Sequence, residues 1–289
     1  METKELKTLI PDIKKVFEEP HTFEEKNVQS FANSLARLVA DRINPSRGKP
    51  SLRMSNLGSK CDRKLWYSIN TPERLEKLPF ATRIKFLYGD ILEQLLLFLA
   101  KEAGHKVEGE QDELSISGVV GHRDAVIDGV TVDVKSASTY SFKSFSNHLS
   151  RSEDKFGYID QLGAYLYAGK ADDLVSEKHK AAFLVVDKTL GHICLDEHEE
   201  TGINYDQLVE NKKKMLAGPL PPRGFSDEPM GKSGNRKLCT ECSYCPSKHD
   251  CWPSLRTFIY SYGPEHLTKV EKLPNVPEAT GKEKAMETE

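Results

Sequence analysis

No apolar run in this 289-residue chain approaches the length that spans a bilayer. The first residues, Met1 to Lys7, are polar and charged. They lack the apolar centre of a secretory signal, so the expected location is cytoplasmic. No internal repeat is present. Nor is there an excess of basic charge: 41 Lys and Arg against 44 Asp and Glu give a net charge of −3. That balance excludes a protein that coats nucleic acid by bulk charge, although a local basic surface remains compatible with it. Cysteine is scarce over most of the length. Cys61 and Cys194 stand apart, whereas Cys239, Cys242, Cys245 and Cys251 crowd together. In an intracellular chain such crowding favours metal binding over disulfides. The remaining composition, 38% hydrophobic and 29% charged, is enough for one large domain or two small ones with a real core.

Apolar spacing predicts helices over 5–18, 24–43, about 82–103 and 155–169, and 204–217. Gly104 closes the third of these, and Asn44 to Pro50 is a loop rich in helix breakers. Ser55 is a candidate cap for a short helix carrying Cys61, Leu65 and Trp66. Strand-like runs fall near 105–117, 119–127 and 130–137. Ala181 to Val186 reads as a buried strand, with Gly191 to Leu195 as its hairpin partner. The strands at 130–137 and 181–187 are joined through a helix, so they should be parallel. The expected fold class is α/β, with a mixed central sheet and flanking helices. Residues 219–238 read as an extended connector.

The most informative stretch runs from Gly121 to Lys135. Asp128-Gly129 between two β-rich runs is a strong signal for a two-residue hairpin turn. Counting outward from Ile127 opposite Val130 places Asp124 opposite Asp133, with Cβ atoms roughly 4.5–5.5 Å apart. Lys135 lies on the same face as Asp133. Ala125, Ile127, Val130, Val132 and Val134 form an apolar underside. Like charges facing each other destabilise a sheet, and a divalent cation between them is the obvious reason to keep them. The arrangement points to a metal-dependent phosphodiesterase. The plain alternative is an exposed hairpin face that happens to be charged. His122 should share the acidic face opposite Lys135, where it would reach metal or phosphate. Arg47, Lys49, Arg53, Lys60, Arg63 and Lys64, followed by Trp66 and Tyr67, suit a phosphate backbone and stacked bases, or equally a solvated loop and helix start.

Four short motifs then occur in order. They are Gly89-Asp90-Ile91-Leu92-Glu93, Gly121-His122-Arg123-Asp124, Asp133-Val134-Lys135 and Gln161-Leu162-Gly163-Ala164-Tyr165. In this order the chain resembles the RecB-type branch of the PD-(D/E)XK nuclease superfamily over roughly residues 50–255. That branch includes the nuclease domains of RecB and AddAB and the CRISPR-associated RecB-like exonucleases. Many relatives have His where Glu93 stands and Glu where Asp133 stands; both replacements retain a ligand. The resemblance implies a restriction-endonuclease-like core and a catalytic set of Lys135, Glu93, Asp124, Asp133, Gln161 and Tyr165. It also implies that Glu93, Asp124, Asp133 and the carbonyl of Val134 hold Mg²⁺ or Mn²⁺. Gln161 and Tyr165 would position nucleic acid, since four-residue spacing puts them on one helix face. Glu93 as a polar-face helix residue and Tyr165 as core are the structural alternatives.

The segment Ser55 to Tyr67 is similar to that around the first cluster cysteine in iron–sulfur members of this branch. There, three further cysteines follow as Cys-x2-Cys-x5-Cys, the spacing of Cys242, Cys245 and Cys251. The resemblance implies a 4Fe–4S cluster on Cys61, Cys242, Cys245 and Cys251. Structural Zn²⁺ on Cys239, Cys242, Cys245 and Cys251 is the alternative. Cys194 reads as a buried structural thiol. The organisation expected is an N-terminal helical extension (1–50), the nuclease core (51–218), a connector and cysteine-cluster segment (219–271) and a disordered tail (272–289). The function implied is metal-dependent DNA exonuclease activity in recombination, repair or degradation, a phage protein among the settings, with DNA the partner. A structure-specific endonuclease and a non-catalytic nucleic-acid-binding module are the alternatives.

Overall fold

A computed structural model describes residues 4–44, 49–76 and 79–279. The helices are α1 (Leu9–Glu18), α2 (Glu25–Ile43), α3 (Met54–Leu57), α4 (Asp62–Asn70), α5 (Phe80–Glu102), α6 (Thr139–Ser146), α7 (Tyr158–Ala168), α8 (Tyr205–Ala217), α9 (Thr240–Ser243) and α10 (Lys248–Cys251). The first strands are β1 (Val107–Glu108), β2 (Glu113–Ile116), β3 (Val119–His122), β4 (Ala125–Ile127), β5 (Val130–Ala137), β6 (Lys180–Asp187) and β7 (Ile193–Glu199). Four more, β8 (Glu228–Pro229), β9 (Arg236–Lys237), β10 (Arg256–Tyr260) and β11 (Gly263–Lys269), complete the set. Among the described residues no helix is long and apolar enough to cross a membrane.

The chain divides into two compact units, Met1–Gly58 with Lys85–Lys212, and Ser59–Ile84 with Lys213–Glu289. The expected linear partition is corrected in two places. Residues 1–50 are not a separate extension, because Leu9 and Ile13 of α1 are buried in the core of the first unit. Residues 59–84 belong with the C-terminal part of the chain rather than with the core.

The first unit is an α/β fold around a mixed sheet of order β1-β4-β5-β6-β7. The β5–β6 pair is parallel and the other pairs are antiparallel. Ala181 to Asp187 of β6 are buried throughout, as expected for a central strand covered on both faces. On one face, Leu9, Ile13, Leu96, Leu97 and Ala100 pack against Ala125, Ile127, Val132, Val134 and Leu184. On the other, Phe145, Ile159, Leu162 and Leu166 pack against Ala181, Phe183 and Val185. A third cluster joins Met54, Leu57, Ile116, Val119, Tyr165 and Val209.

The hairpin register agrees with the count from the turn: Ile127 opposes Val130, Val126 opposes Thr131 and Ala125 opposes Val132. Asp128 and Gly129 have φ of 49° and 80°, the double positive values of a type I′ turn. The run at 119–127 does not form one strand. β3 pairs with β2 in a separate two-stranded sheet, and the chain leaves it at Arg123. Arg123 is buried and ion-paired to Asp112 and Asp172 at 2.8 and 2.6 Å, which fixes that crossing. The run at 105–117 likewise splits into β1 and β2. Helix α6 had no counterpart in the periodicity.

In the second unit β10, β11, β9 and β8 form an antiparallel sheet around Phe258 and Leu267. Part of the expected disordered tail is structured. Ile259 N donates to Pro277 O, Ala279 N donates to Thr257 O, and Ala279 is buried. The remainder of that tail, 280–289, and residues 45–48 of the breaker-rich loop, including Arg47, lie outside the described residues.

Candidate active site

Strand β5 supplies Asp133 and Lys135 from the face opposite its apolar underside. Asp133 is 2% exposed, and its Oδ2 meets Lys135 Nζ at 2.5 Å. The ammonium is the partner of Oδ2, so this buried oxygen depends on Lys135 for its compensation. Lys135 Nζ also lies 5.0 Å from the centre of the Tyr158 ring, a cation–π contact.

Asp124 stands one residue before β4, where pairing with β5 ends. Its Oδ2 accepts the N–H of Val134 at 2.7 Å and replaces the missing strand partner. In a strand the N–H and C=O of one residue point to the same side. The Val134 carbonyl therefore also faces the gap left by β4.

Glu93 comes from α5. Gly89, one helical turn earlier, lies close to β5: a Cβ there would come within 3.3 Å of Ser136 Oγ. Gln111, in a left-handed conformation (φ 58°), donates from Nε2 to Glu93 Oε1 at 2.9 Å and to Asp124 Oδ1 at 3.5 Å. Gln161 of α7 donates to Asp133 Oδ1 at 3.3 Å. The structure thus brings Glu93, Asp124, Asp133, Lys135 and Gln161 together. Tyr165 is 3% exposed and packs in the third apolar cluster beside Met54 and Leu57. Gly121 is needed for that packing, since a Cβ would stand 2.6 Å from Met54 Cβ and 3.0 Å from Tyr165 Cε1.

His122 is a correction. It lies on β3, exposed, with Nδ1 3.1 Å from Gln111 O. The outward count to Lys135 fails because β4 pairing stops at Ala125. The basic stretch is also partly consumed by structure. Arg63 donates to Pro221 O, Trp66 Nε1 to Gly218 O and Tyr67 Oη to Asp250 O. Gln111 and Tyr158 went unnoticed in the sequence. Gln111 sits in an irregular loop, and Tyr158 reads as an ordinary first-turn residue of α7.

The electrostatics show excess negative charge. Burial, with Asp133 and Asp90 nearby, pushes Glu93 up to about 7. Burial and the charges of Asp133 and Glu93 push Asp124 well above the usual carboxylate range. Burial pulls Lys135 down, but Asp133 and Asp124 outweigh it and the net shift is upward. Burial and Asp133 raise the Tyr165 hydroxyl to about 12. Three acids share one lysine, and burial and mutual repulsion oppose the charges of Glu93 and Asp124. This all-oxygen donor set fits a hard divalent cation.

The second unit holds the cysteine set. Cys61, Cys242, Cys245 and Cys251 line one small open pocket with Arg63, Lys64, Arg223 and Trp252. Cys61 is itself the N-cap of α4, its Sγ accepting from Lys64 N at 3.4 Å, so it lies before that helix and Ser55 does not cap it. Arg223 stacks over Trp252 at 3.9 Å and donates to Cys251 O. Burial, then Cys239 and the other thiols, raise Cys242. Cys239 meets Cys242 but does not line the cavity. Tetrahedral zinc holds its sulfurs about 3.8 Å apart. Four thiols in one place suit either tetrahedral zinc or a 4Fe–4S cluster. Cys194 is half-buried on β7, and burial pushes its thiol up to about 11.

No family model matches the chain. No curated protein matches it. Among solved structures, one described as "Crystal structure of SSO0001" aligns at a TM-score of 0.44 and 16% identity, covering 76% of this chain and 95% of that one. A likeness at that level carries no inference about fold or activity.

Proposed function

We propose that the first unit is a metal-dependent deoxyribonuclease of restriction-endonuclease-like type, in the RecB-type branch of the PD-(D/E)XK superfamily, acting as an exonuclease. The observation that carries the reading is the convergence of Glu93, Asp124 and Asp133 on the half-buried cation of Lys135. Glu93, Asp124, Asp133 and the Val134 carbonyl would hold Mg²⁺ or Mn²⁺. When bound, the ion supplies charge neutralisation at the phosphate and a more acidic water.

The protein's own groups divide the remaining work. Lys135, held protonated by Asp133, offers positive charge to the phosphate as negative charge builds on it. In that state it is not a free base. Gln161 fixes the orientation of Asp133, and Gln111 holds Glu93 beside Asp124. Tyr165 is a positioning residue that backs the wall carrying Gly121. In the second unit Cys61, Cys242, Cys245 and Cys251 would hold a 4Fe–4S cluster with a structural role.

The test uses end-labelled single- and double-stranded DNA with Mg²⁺, Mn²⁺ or chelator. Mononucleotides and short products released from ends are the expected outcome. Discrete internal cuts would indicate an endonuclease. Binding without cleavage under either metal would overturn the enzymatic reading.

A further inference from the structure

We infer that His148, Asp196 and His198 form a binding site for a divalent transition-metal ion of the zinc type, built from residues that the acidic site does not use. Asp196 and His198 are alternate residues of β7, the edge strand of the main sheet, and so project from one face. His148 follows α6 and has φ 66°, a left-handed backbone that residues other than glycine seldom adopt. Its Nδ1 lies 2.8 Å from Asp196 Oδ1, and Leu149 N donates to Asp196 Oδ2 at 3.0 Å. The two imidazoles stack at 4.6 Å and 22°. The ligand atoms of all three side chains lie within 4.8 Å of one another.

The charge on Asp196 is the first argument for a cation. The residue is buried, and no Lys or Arg reaches its carboxylate among the described residues. Glu102, Asp128 and Asp187 also lack a Lys or Arg, and Glu102 and Asp187 accept from two or more hydroxyl, amide or backbone N–H donors, whereas two further acids are met by lysine. Asp12, which touches His105, is also met by Lys4 and Lys15, and Asp133 is met by Lys135. Asp196 has one backbone N–H and two imidazoles.

His198 supplies the second, independent argument. It is 9% exposed, and its Nε2 stands 2.9 Å from Asp196 Oδ2, yet that atom has no aligned hydrogen-bond partner. A shared proton needs the nitrogen, hydrogen and oxygen close to a line. A metal ion among the three donors needs only that each lone pair face it. Donors of bound zinc stand about 3.3 Å apart, so the Asp196 contacts at 2.8 and 2.9 Å need open only slightly, within a trio whose ligand atoms already lie within 4.8 Å of one another. The exposed His148 side chain can supply that movement, and solvent beside it can fill a fourth position. Two imidazoles and one carboxylate favour zinc, cobalt or nickel over magnesium.

The test is equilibrium dialysis of the full chain against Zn²⁺ alone, with metal analysis of wild type, His148→Ala and Asp196→Asn. Any zinc held by the acidic site or the cysteines is common to all three. Wild type should retain about one equivalent more than either variant, and zinc should raise its unfolding temperature by a margin that His148→Ala lacks. Equal zinc in wild type and His148→Ala would overturn the assignment. His148 is exposed, so its removal leaves the packing intact and that comparison decides even if Asp196→Asn misfolds.

Discussion

The carboxylate of Asp124 accepts the backbone N–H of Val134 at 2.7 Å and so finishes the strand pairing that β4 leaves incomplete. One residue therefore serves both sheet and site, and the two duties can be separated. In Asp124→Asn the amide oxygen keeps the Val134 contact while the charge is lost. Metal-dependent DNA cleavage should fall by about 10²-fold or more. The melting temperature without metal should hold or rise, because burial, Asp133 and Glu93 all oppose that charge. Wild-type rates in a normally folded variant would show that the acid lies outside the reaction.

Glu93 makes the metal-free protein pH-sensitive. Its carboxyl rises from an ordinary 4.5 to about 7 on folding, chiefly through burial. Between those values the folded state holds the proton more tightly than the unfolded one. The contribution of Glu93 is therefore fully present below 4.5, is lost as pH climbs to about 7, and changes little above that. Melting curves in chelator for wild type and Glu93→Gln should diverge across this window, the wild type declining more steeply. Divalent metal should restore wild-type stability at the alkaline end. Parallel curves would mean that Glu93 is not held against ionisation.

Lys135→Ala should abolish most cleavage while retaining Mn²⁺ binding, since the lysine is no ligand. Removing it leaves Asp133 buried without its cation, a loss of the kind that costs about 3–5 kcal/mol. Mn²⁺ should recover much of this by supplying charge at the same place. Calorimetric titration with Mn²⁺ checks the point, and a large fall in affinity would assign Lys135 a different role.

Cysteine substitutions distinguish the two centres open to the second unit. Anaerobically purified wild type should be brown and contain iron. Cys61→Ser should bleach and destabilise it, because metal binding free energy is largely folding free energy. Cys239→Ser should do little, as Cys239 does not line the cavity. Stoichiometric zinc without iron, with sensitivity at Cys239 and none at Cys61, would establish the zinc alternative.

Gly121→Ala tests packing behind the site. The new methyl would stand 2.6 Å from Met54 Cβ, within the buried cluster that Met54 shares with Leu57 and Tyr165. A loss of about 1–3 kcal/mol is expected from overpacking. Denaturant unfolding measures it, and unchanged stability would mean that α3 yields at Met54.

Local chemistry made part of this structure legible. Asp128-Gly129 dictates its own turn, and the turn dictates which residues of β4 and β5 face each other. The apolar run of β6 marks a central strand without help from distant residues. What was lost depends on where a chain leaves a ladder. Val119 to Ile127 has continuous strand character, and only the buried Arg123 and its two acids show why it breaks. Gln111 reaches Glu93 through a left-handed loop residue that no periodicity marks. His148 and Asp196 come from separate elements, so their meeting had no trace in spacing. Cys61 lines one pocket with Cys242, Cys245 and Cys251, a meeting that spacing alone does not show, and its place as a helix cap followed from geometry.

The bulk of the first unit lies between two segments of the second, from Lys85 to Lys212. This nesting has a consequence for biosynthesis. Every acidic-site residue, from Glu93 to Tyr165, leaves the ribosome before Cys242, Cys245 or Cys251 is made. The sheet can close around its carboxylates during synthesis, whereas the cysteine cavity must wait for nearly the whole chain. Under the proposed metal role of the thiols, a cell short of that metal would accumulate chains whose first unit is finished and whose second is not, and quality control would meet them in that order.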